Sequence, residues 1–225
     1  MASGGAHRLR LLMRMGWYAP IALVPRGPAR ERSEADVERW IEVLAPPVSR
    51  RWARLALLAE RPEFRTLTYY RLRRAGGWRA AKASALGVLW PGERTLHLAC
   101  SDIGGGLFIQ HGFATIIAAR SLGARCWVNQ QVTIGFVRPE DRPVLGDGVA
   151  VHAGAKVLGD VTLGAGAVVG ANAVVLEDVP AGWTAVGIPA RLLPPKAERG
   201  ASGLVGHDVE RERGERGVDD RPLLG

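Results

Sequence analysis

The chain has 225 residues, 47% of them hydrophobic, and its 30 lysines and arginines exceed its 22 acidic residues, giving a formal net charge of +8. This composition excludes a largely disordered chain, and two cysteines are too few for a disulfide framework, so we predict a cytoplasmic protein. No apolar run reaches the length of a membrane span, and no nucleic-acid-binding module accompanies the basic charge. We therefore predict neither a membrane span nor a nucleic-acid partner.

Residues 1–32 are predicted to form an irregular N-terminus. The stretch RLRLLMRMGWYAPIALVPRG is basic and apolar, but Arg14 and Pro20 interrupt it, and no small-residue cleavage site follows. We interpret this stretch as a cytosolic N-terminus, with a peripheral contact to a membrane as the alternative.

Residues 33–102 are predicted to form a helical segment. The stretch SEADVERWIEVLA begins with Ser33 as a helix N-cap and spaces apolar residues such as Val37 and Trp40 on one face. Pro46 follows it and ends the helix. Three further short helices are predicted in VSRRWARLALLAE, EFRTLTYYRLRR and WRAAKASALGVLW.

Residues 103–193 repeat every six residues, apart from one seven-residue step between Ile109 and Ile116 and a longer gap after Ile134. A period of six fits neither an α-helix nor an alternating strand, and it is the signature of a parallel β-helix. The aliphatic residues that mark the twelve repeats are Ile103, Ile109, Ile116, Leu122, Val128, Ile134, Leu145, Val151, Val157, Leu163, Val169 and Val175.

Residues 194–225 differ from the repeats in composition. They are charged, contain proline and glycine, and show no apolar period. Such a segment lacks the apolar surface that would offset the entropy of ordering it, so we predict a disordered tail.

The repeats resemble those of the hexapeptide-repeat acyltransferases. The resemblance implies a left-handed parallel β-helix with three hexads in each coil, so that twelve hexads make about four coils behind the helical segment. The phrase VPAGWTAVGIPARLL resembles the strand and turn that close the family's β-helix. A homotrimer or a dimer of trimers is also implied, because trimers are usual in the family and would bury the open faces of a short solenoid.

A single histidine, His111, lies in the apolar stretch GLFIQHGFATII, two residues after Ile109. If each coil has three hexads, His111 heads one column that continues through Gln130, Ala153 and Ala171. This column lies off the inward row, so we predict a reactive histidine, with an exposed surface histidine as the alternative. An imidazole is suited to removing a hydroxyl proton at neutral pH, and the two alanines would leave a slot for a thioester's pantetheine arm.

The motifs GLFIQHG, QQVTIG and VHAGAKVLGDVTLGAGAVVGANAVVLEDVPAGWTAVGIPARLL resemble the serine acetyltransferase family over roughly residues 63–193. The resemblance implies acetyl-CoA as cosubstrate, no metal, a role in cysteine biosynthesis and His111 as the general base. It also implies four residues that contact coenzyme A: Gly135, Ala153, Ala171 and Arg191.

The chain departs from this family on the acceptor side. Gln110 replaces the acidic residue before the catalytic histidine, Leu96 replaces the aspartate fifteen positions earlier, and the family's D-R-H-P loop reads EDRPVL, without its histidine. We therefore predict O-acetyl transfer to serine or, alternatively, to a hydroxyl of a sugar, a polysaccharide or a natural product. The candidate orienting or acceptor-site residues are Gln130, Asp102, Asp141 and Arg142, with Glu140 as a further candidate.

Two other classes of function are open to this fold. Zinc-dependent hydration needs three converging histidines, but the repeats contain only His111 and His152, at different offsets. A non-catalytic trimeric scaffold is the alternative of another class. The family's tail binds the next enzyme of cysteine synthesis through a terminal isoleucine, whereas this tail ends PLLG, so we do not predict that partner.

Cys126 is predicted to be a packed thiol.

Overall fold

The computed structural model describes residues 13–19 and 27–195, so the predicted tail lies outside the described residues from residue 196 onward. Residues 13–18 are helical, and four longer helices precede the repeats. These helices are α1 (Pro28–Leu44), α2 (Arg50–Glu60), α3 (Pro62–Arg74) and α4 (Gly77–Leu89). The helical segment predicted from apolar spacing is therefore present.

Helix α1 begins at Pro28, five residues before the predicted N-cap. Proline favours the first helical turn because its φ is already helical and its missing N–H would have no partner there. Ser33 instead lies buried inside the helix, where its hydroxyl oxygen accepts a hydrogen bond of 2.9 Å from Nη1 of Arg54. The prediction of Ser33 as a cap was wrong. A serine hydroxyl that can cap a helix can equally accept a hydrogen bond from another side chain inside it, and the sequence does not distinguish these two roles.

In residues 27–195, fifteen short strands follow the helices and stack into three sheets, which form the faces of a solenoid. The first sheet contains β1 (Leu96–Leu98), β4 (Thr115–Ile117), β7 (Thr133–Gly135), β10 (Lys156–Leu158) and β13 (Val174–Val175). The second contains β2 (Asp102–Ile103), β5 (Ser121–Leu122), β8 (Val144–Leu145) and β11 (Thr162–Leu163). The third contains β3 (Phe108–Ile109), β6 (Trp127–Val128), β9 (Ala150–Val151), β12 (Val168–Val169), β14 (Thr184–Val186) and β15 (Arg191–Leu193).

Every strand pairs in parallel with the strand one coil away, except that β15 folds back antiparallel onto β14. The fold class is therefore the predicted parallel β-helix, and its hexapeptide period indicates the left-handed form. The solenoid has five coils, against about four predicted. The first coil begins at Leu96, ahead of the first recognised hexad, and the last includes a bridge between Leu163 and Val179.

The inward row of aliphatic residues is almost fully buried and continuous with the core between the helices. One member differs from the prediction. Ile117 is fully buried and pairs with Ile134, whereas Ile116 is 42% exposed and pairs with Thr133. The step from Ile109 to the next inward residue is therefore eight residues long, two more than a regular hexad.

Glycine follows the inward residue of each second-sheet strand because the coils approach closely there. A Cβ on Gly123, for example, would lie 2.5 Å from the carbonyl carbon of Gly146 in the next coil. Backbone at that distance cannot yield to a side chain, so only glycine lets the coils stack at strand spacing. The same holds at three further glycines: Gly104, Gly146 and Gly164.

A buried ion pair fixes the helices to the first coil. Nε and Nη2 of Arg71 on α3 donate to the two carboxylate oxygens of Asp36 on α1, at 2.9 and 3.0 Å, and both side chains are only 3% exposed. Arg71 also donates to the carbonyl oxygens of Ile103 and Gly104, and Asp36 accepts from the backbone N–H of Gly106. Because each charge has several hydrogen-bond partners as well as its countercharge, its burial is tolerated.

Candidate active site

His111 lies on the edge of the solenoid where the third sheet turns into the first, between β3 and β4. Its side chain is exposed and its backbone φ is 55°. Histidine tolerates this left-handed conformation better than most residues that carry a Cβ. The imidazole is therefore held outside the core by the shape of the turn.

The turn that carries His111 is two residues longer than its counterparts, and this changes the predicted column. Along this edge, Asn172 N–H donates to the carbonyl of Ala153 and Gly154 N–H to that of Gln130, but Gln131 N–H donates to that of Phe113. Phe113 therefore takes the place in the stack that was predicted for His111. The histidine bulges outward beside the column instead of heading it.

The rest of the column has the predicted register. Val128, Val151 and Val169 are partners in adjacent strands, so Gln130, Ala153 and Ala171, each two residues further on, lie on one edge in successive coils. Ala153 is half-buried and Ala171 is exposed. Oε1 of Gln130 is buried yet has no hydrogen-bond partner among the described residues. An orphaned buried acceptor is rare in native structures, and a ligand reaches this oxygen only when the side chain turns outward.

His111 lines a cavity of about 210 Å³ between the helices and the first coil. Helix α1 and the start of α3 form the other walls of this cavity, which we call the histidine cavity. Its lining includes Trp40, Val43 and Leu44 from α1, Arg61 and Glu63 from the α2–α3 junction, and Phe108, Ile109, Gln110 and His111 from the first coil. The helical segment is therefore part of the site.

Glu63 is a site residue that sequence reasoning missed. It is half-buried in the first turn of α3, and a Cβ on Gly112 would lie 3.1 Å from its Cγ. The carboxylate-bearing side chain therefore stands against the turn that carries His111. The stretch ERPEF does not indicate a site residue, because the helix dipole alone explains an acidic residue in a first helical turn.

Gln110, which takes the place of the family's acidic residue, is held by the amide of Asn129, which is held in turn by the indole of Trp127. Its Oε1 accepts from Nδ2 of Asn129 at 3.3 Å, and Oδ1 of Asn129 accepts from Nε1 of Trp127 at 2.8 Å. The position beside His111 thus carries a fixed neutral dipole and no charge.

The other predicted orienting residues lie on a different edge, where the first sheet turns into the second. Asp102 on β2 pairs with Arg32. Asp141 accepts from Nε of Arg138 at 2.8 Å within the loop between β7 and β8, which also carries Glu140. Arg142 donates to the carbonyls of Pro139 and Ala99. Within one chain, the structure does not bring these residues to His111.

The remaining predicted residues are dispersed over the solenoid. Gly135 ends β7 and is buried, and Arg191 begins β15 and is exposed. His152 is half-buried next to Ala153. Cys126 is fully buried, and this burial raises the pKa of its thiol to about 11, so it is a packed, protonated thiol at neutral pH.

Among residues 13–19 and 27–195, no group of three or more His, Cys, Asp or Glu side chains is placed to hold a metal ion. In the same residues, no helix combines the length and the apolar character that crossing a membrane requires.

Comparison with known proteins first defines the class. Residues 142–177 match the family described as bacterial transferase hexapeptide (six repeats). The structure is similar to that of soybean serine acetyltransferase, with a TM-score of 0.51 and 29% identity over 73% of this chain and 69% of that one. It is also similar to the Neisseria gonorrhoeae serine acetyltransferase in complex with serine, with a TM-score of 0.55 and 27% identity over 72% and 68%.

Among curated proteins, the chain is 48% identical to the serine acetyltransferase of a Synechocystis species over 103 residues, which make up 44% of this chain and 41% of that protein. The chain spans about two fifths of the length of the curated relatives that it matches. The chain is a hexapeptide-repeat protein similar to the serine acetyltransferases in sequence and in fold.

Proposed function

We propose that the protein is an acetyl-CoA-dependent O-acetyltransferase of the serine acetyltransferase type, with His111 as its general base. The observation that carries this proposal is the outward bulge of the turn after β3. It places an exposed imidazole at a cavity closed by α1 and α3 and lined by Glu63. The likeness to serine acetyltransferases over the repeats supports the same reading.

The acyl donor would lie along the edge beside His111. The small side chains of Ala153 and Ala171 leave room for a pantetheine arm, and Oε1 of Gln130, once that side chain turns outward, could accept a hydrogen bond from its amide N–H. The resemblance adds Gly135 and Arg191 as further contacts to coenzyme A. The edge formed by Gln130, Ala153 and Ala171 suits a thioester donor, because the pantetheine arm is an extended chain with amide groups that can lie along small side chains.

The chemistry follows from the position of His111. The imidazole takes the proton of an acceptor hydroxyl as its oxygen attacks the thioester carbonyl. The new C–O bond forms, the C–S bond breaks, and the proton leaves with the thiol of coenzyme A. Glu63 is the carboxylate best placed to orient the imidazole, in the role that the family gives to an aspartate. The two side chains line one cavity although 48 positions separate them in the sequence.

The proposed acceptor carries a free hydroxyl and is in the first instance a small molecule. Serine is the first candidate, because the matched relatives are named for it. The neutral amide network around Gln110 and the loop EDRPVL, which lacks histidine, favour a second candidate, the hydroxyl of a sugar, polysaccharide or natural product. A non-catalytic trimeric scaffold is the alternative that lacks chemistry altogether.

We further propose that the protein is a cytoplasmic homotrimer or a dimer of trimers. The loop with Asp141 and Arg142 and the turn with His111 occupy different edges of one chain, and a neighbouring copy could bring one against the other. Trimer formation would also cover exposed apolar side chains such as Phe136 and Val137 in that loop. Sedimentation of a monomer at micromolar concentration would contradict this assembly.

The test of the proposed activity is the release of coenzyme A thiol from acetyl-CoA in the presence of serine, homoserine, sugars or aminoglycosides. We expect one class of hydroxyl acceptor to raise the release rate far above hydrolysis, with an acetyl ester as product. Binding of coenzyme A without transfer to any hydroxyl would favour the scaffold alternative. Transfer to serine alone would exclude the second acceptor class.

A further inference from the structure

Two adjoining cavities of about 470 and 440 Å³ lie on the edge between the first and second sheets, against the end of α3. They share Tyr70, Arg74 and Ser101, and together we call them the arginine groove. Arginine dominates the lining. The arginines of the groove are Arg32, Arg71, Arg73, Arg74, Arg120 and Arg142, and its one acidic residue is Asp102.

Among the described residues, carboxylates pair with three of these six guanidinium groups. The pairs are Arg32 with Asp102, Arg71 with Asp36 and Arg120 with Asp160. Arg142 is hydrogen-bonded to backbone carbonyls and stacks over the ring of Phe136, which fixes its position, and no carboxylate of the described residues pairs with it. In the described part of the chain, no carboxylate pairs with Arg73 or Arg74, both of which are exposed at the end of α3.

We propose that the arginine groove binds the phosphate group of a small ligand. A phosphate monoester carries close to two negative charges at neutral pH and three acceptor oxygens, so it can engage more than one guanidinium group at once. A single carboxylate would satisfy one arginine and leave the others unpaired. The two cavities have the size of small-molecule sites. Within one chain the groove lies on a different edge from His111, and the binding of phosphate to it can be measured without the proposed transfer reaction.

The phosphate could belong to either of two ligands. One is a phosphorylated metabolite, which would make the groove a separate binding site. The other is coenzyme A, whose 3′-phosphate and pyrophosphate carry the same chemistry. Comparing coenzyme A with 3′-dephospho-coenzyme A, and both with pyrophosphate, distinguishes these sources.

The test is calorimetric titration of the full chain with pyrophosphate, inorganic phosphate, coenzyme A and 3′-dephospho-coenzyme A at constant ionic strength. The variant is Arg73→Gln/Arg74→Gln, and Arg74→Gln alone serves if the double variant folds poorly. Arg94→Gln is the matched control, because Arg94 is an exposed arginine outside the groove. We expect pyrophosphate to bind the wild type and the control equally, and the double variant at least about tenfold more weakly.

The titrations with coenzyme A and its dephospho form identify which ligand carries the phosphate that the groove binds. If the double variant loses affinity for coenzyme A but not for its dephospho form, the groove holds the 3′-phosphate. If it binds coenzyme A like the wild type but pyrophosphate weakly, the ligand is a separate phosphorylated molecule. The proposal is overturned if pyrophosphate and phosphate fail to bind the wild type, or if the variant binds pyrophosphate as tightly as the wild type does.

Discussion

At the scale of single residues, the sequence singled out His111 as a candidate but did not show its surroundings. Its offset from Ile109 correctly placed it outside the core, because the inward row can be read from a single strand. The column below it could not be read in the same way. The six-residue spacing to Leu122 favours Ile116, and only the pairing with the next coil selects the adjacent Ile117.

Asp36 and Glu63 are further residues that the sequence did not reveal. Asp36 looks like an ordinary acidic residue near the start of a helix, and its partner Arg71 is 35 positions away. Glu63 lies 48 positions before His111. Both gain their roles only when the helices pack on the first coil, which local pattern does not specify.

We expect Asp36→Ala to destabilise the protein by roughly 3–5 kcal/mol, because it leaves Arg71 buried without a countercharge. The backbone N–H groups of Gly106 and Leu107 lose an acceptor as well. The measurement is the free energy of unfolding in urea, followed by circular dichroism at equal protein concentrations. Glu34→Ala on the same helix is the control, since Glu34 is exposed, and a similar loss in both variants would contradict this account.

At the scale of elements, apolar spacing predicted helices and repeats better than it predicted their ends. Helix α1 begins five residues early at a proline, and the solenoid begins at Leu96, ahead of the first hexad. The first coil does not follow the six-residue spacing of apolar residues. Its strand β1 packs beside α3, and side chains of α3 form part of the core around it. Where another element covers a coil, the six-residue pattern weakens.

The long turn after β3 gives a paired test of strand register. Ile117→Ala should cost roughly 2–5 kcal/mol of unfolding free energy, because it leaves a cavity in the solenoid core. Ile116→Ala removes an exposed side chain and should cost less than about 1 kcal/mol. Both values come from urea unfolding at one protein concentration. If Ile116→Ala proves the more damaging variant, the turn has the shorter, seven-residue step predicted from the sequence.

At the scale of the whole molecule, the six-residue period predicted the architecture because every coil repeats the same steric requirements. Inward aliphatic residues fill the core, and glycines such as Gly123 allow neighbouring coils to approach. The assembly and the acceptor do not follow from this regularity. They depend on the irregular parts of the chain, which are the loop with Asp141 and Arg142 and the helices around the histidine cavity.

The central claim is that His111 is the general base of an acetyl transfer, and one measurement tests it most directly. This is the turnover of His111→Ala with acetyl-CoA and the acceptor found in the thiol-release assay, compared with His152→Ala. We expect turnover of the His111 variant to fall roughly 10²- to 10⁴-fold, the usual contribution of a general base, while coenzyme A binding is retained. His152→Ala should change turnover much less. If His111→Ala transfers acetyl groups as fast as the wild type, His111 is a surface histidine and the proposed mechanism is wrong.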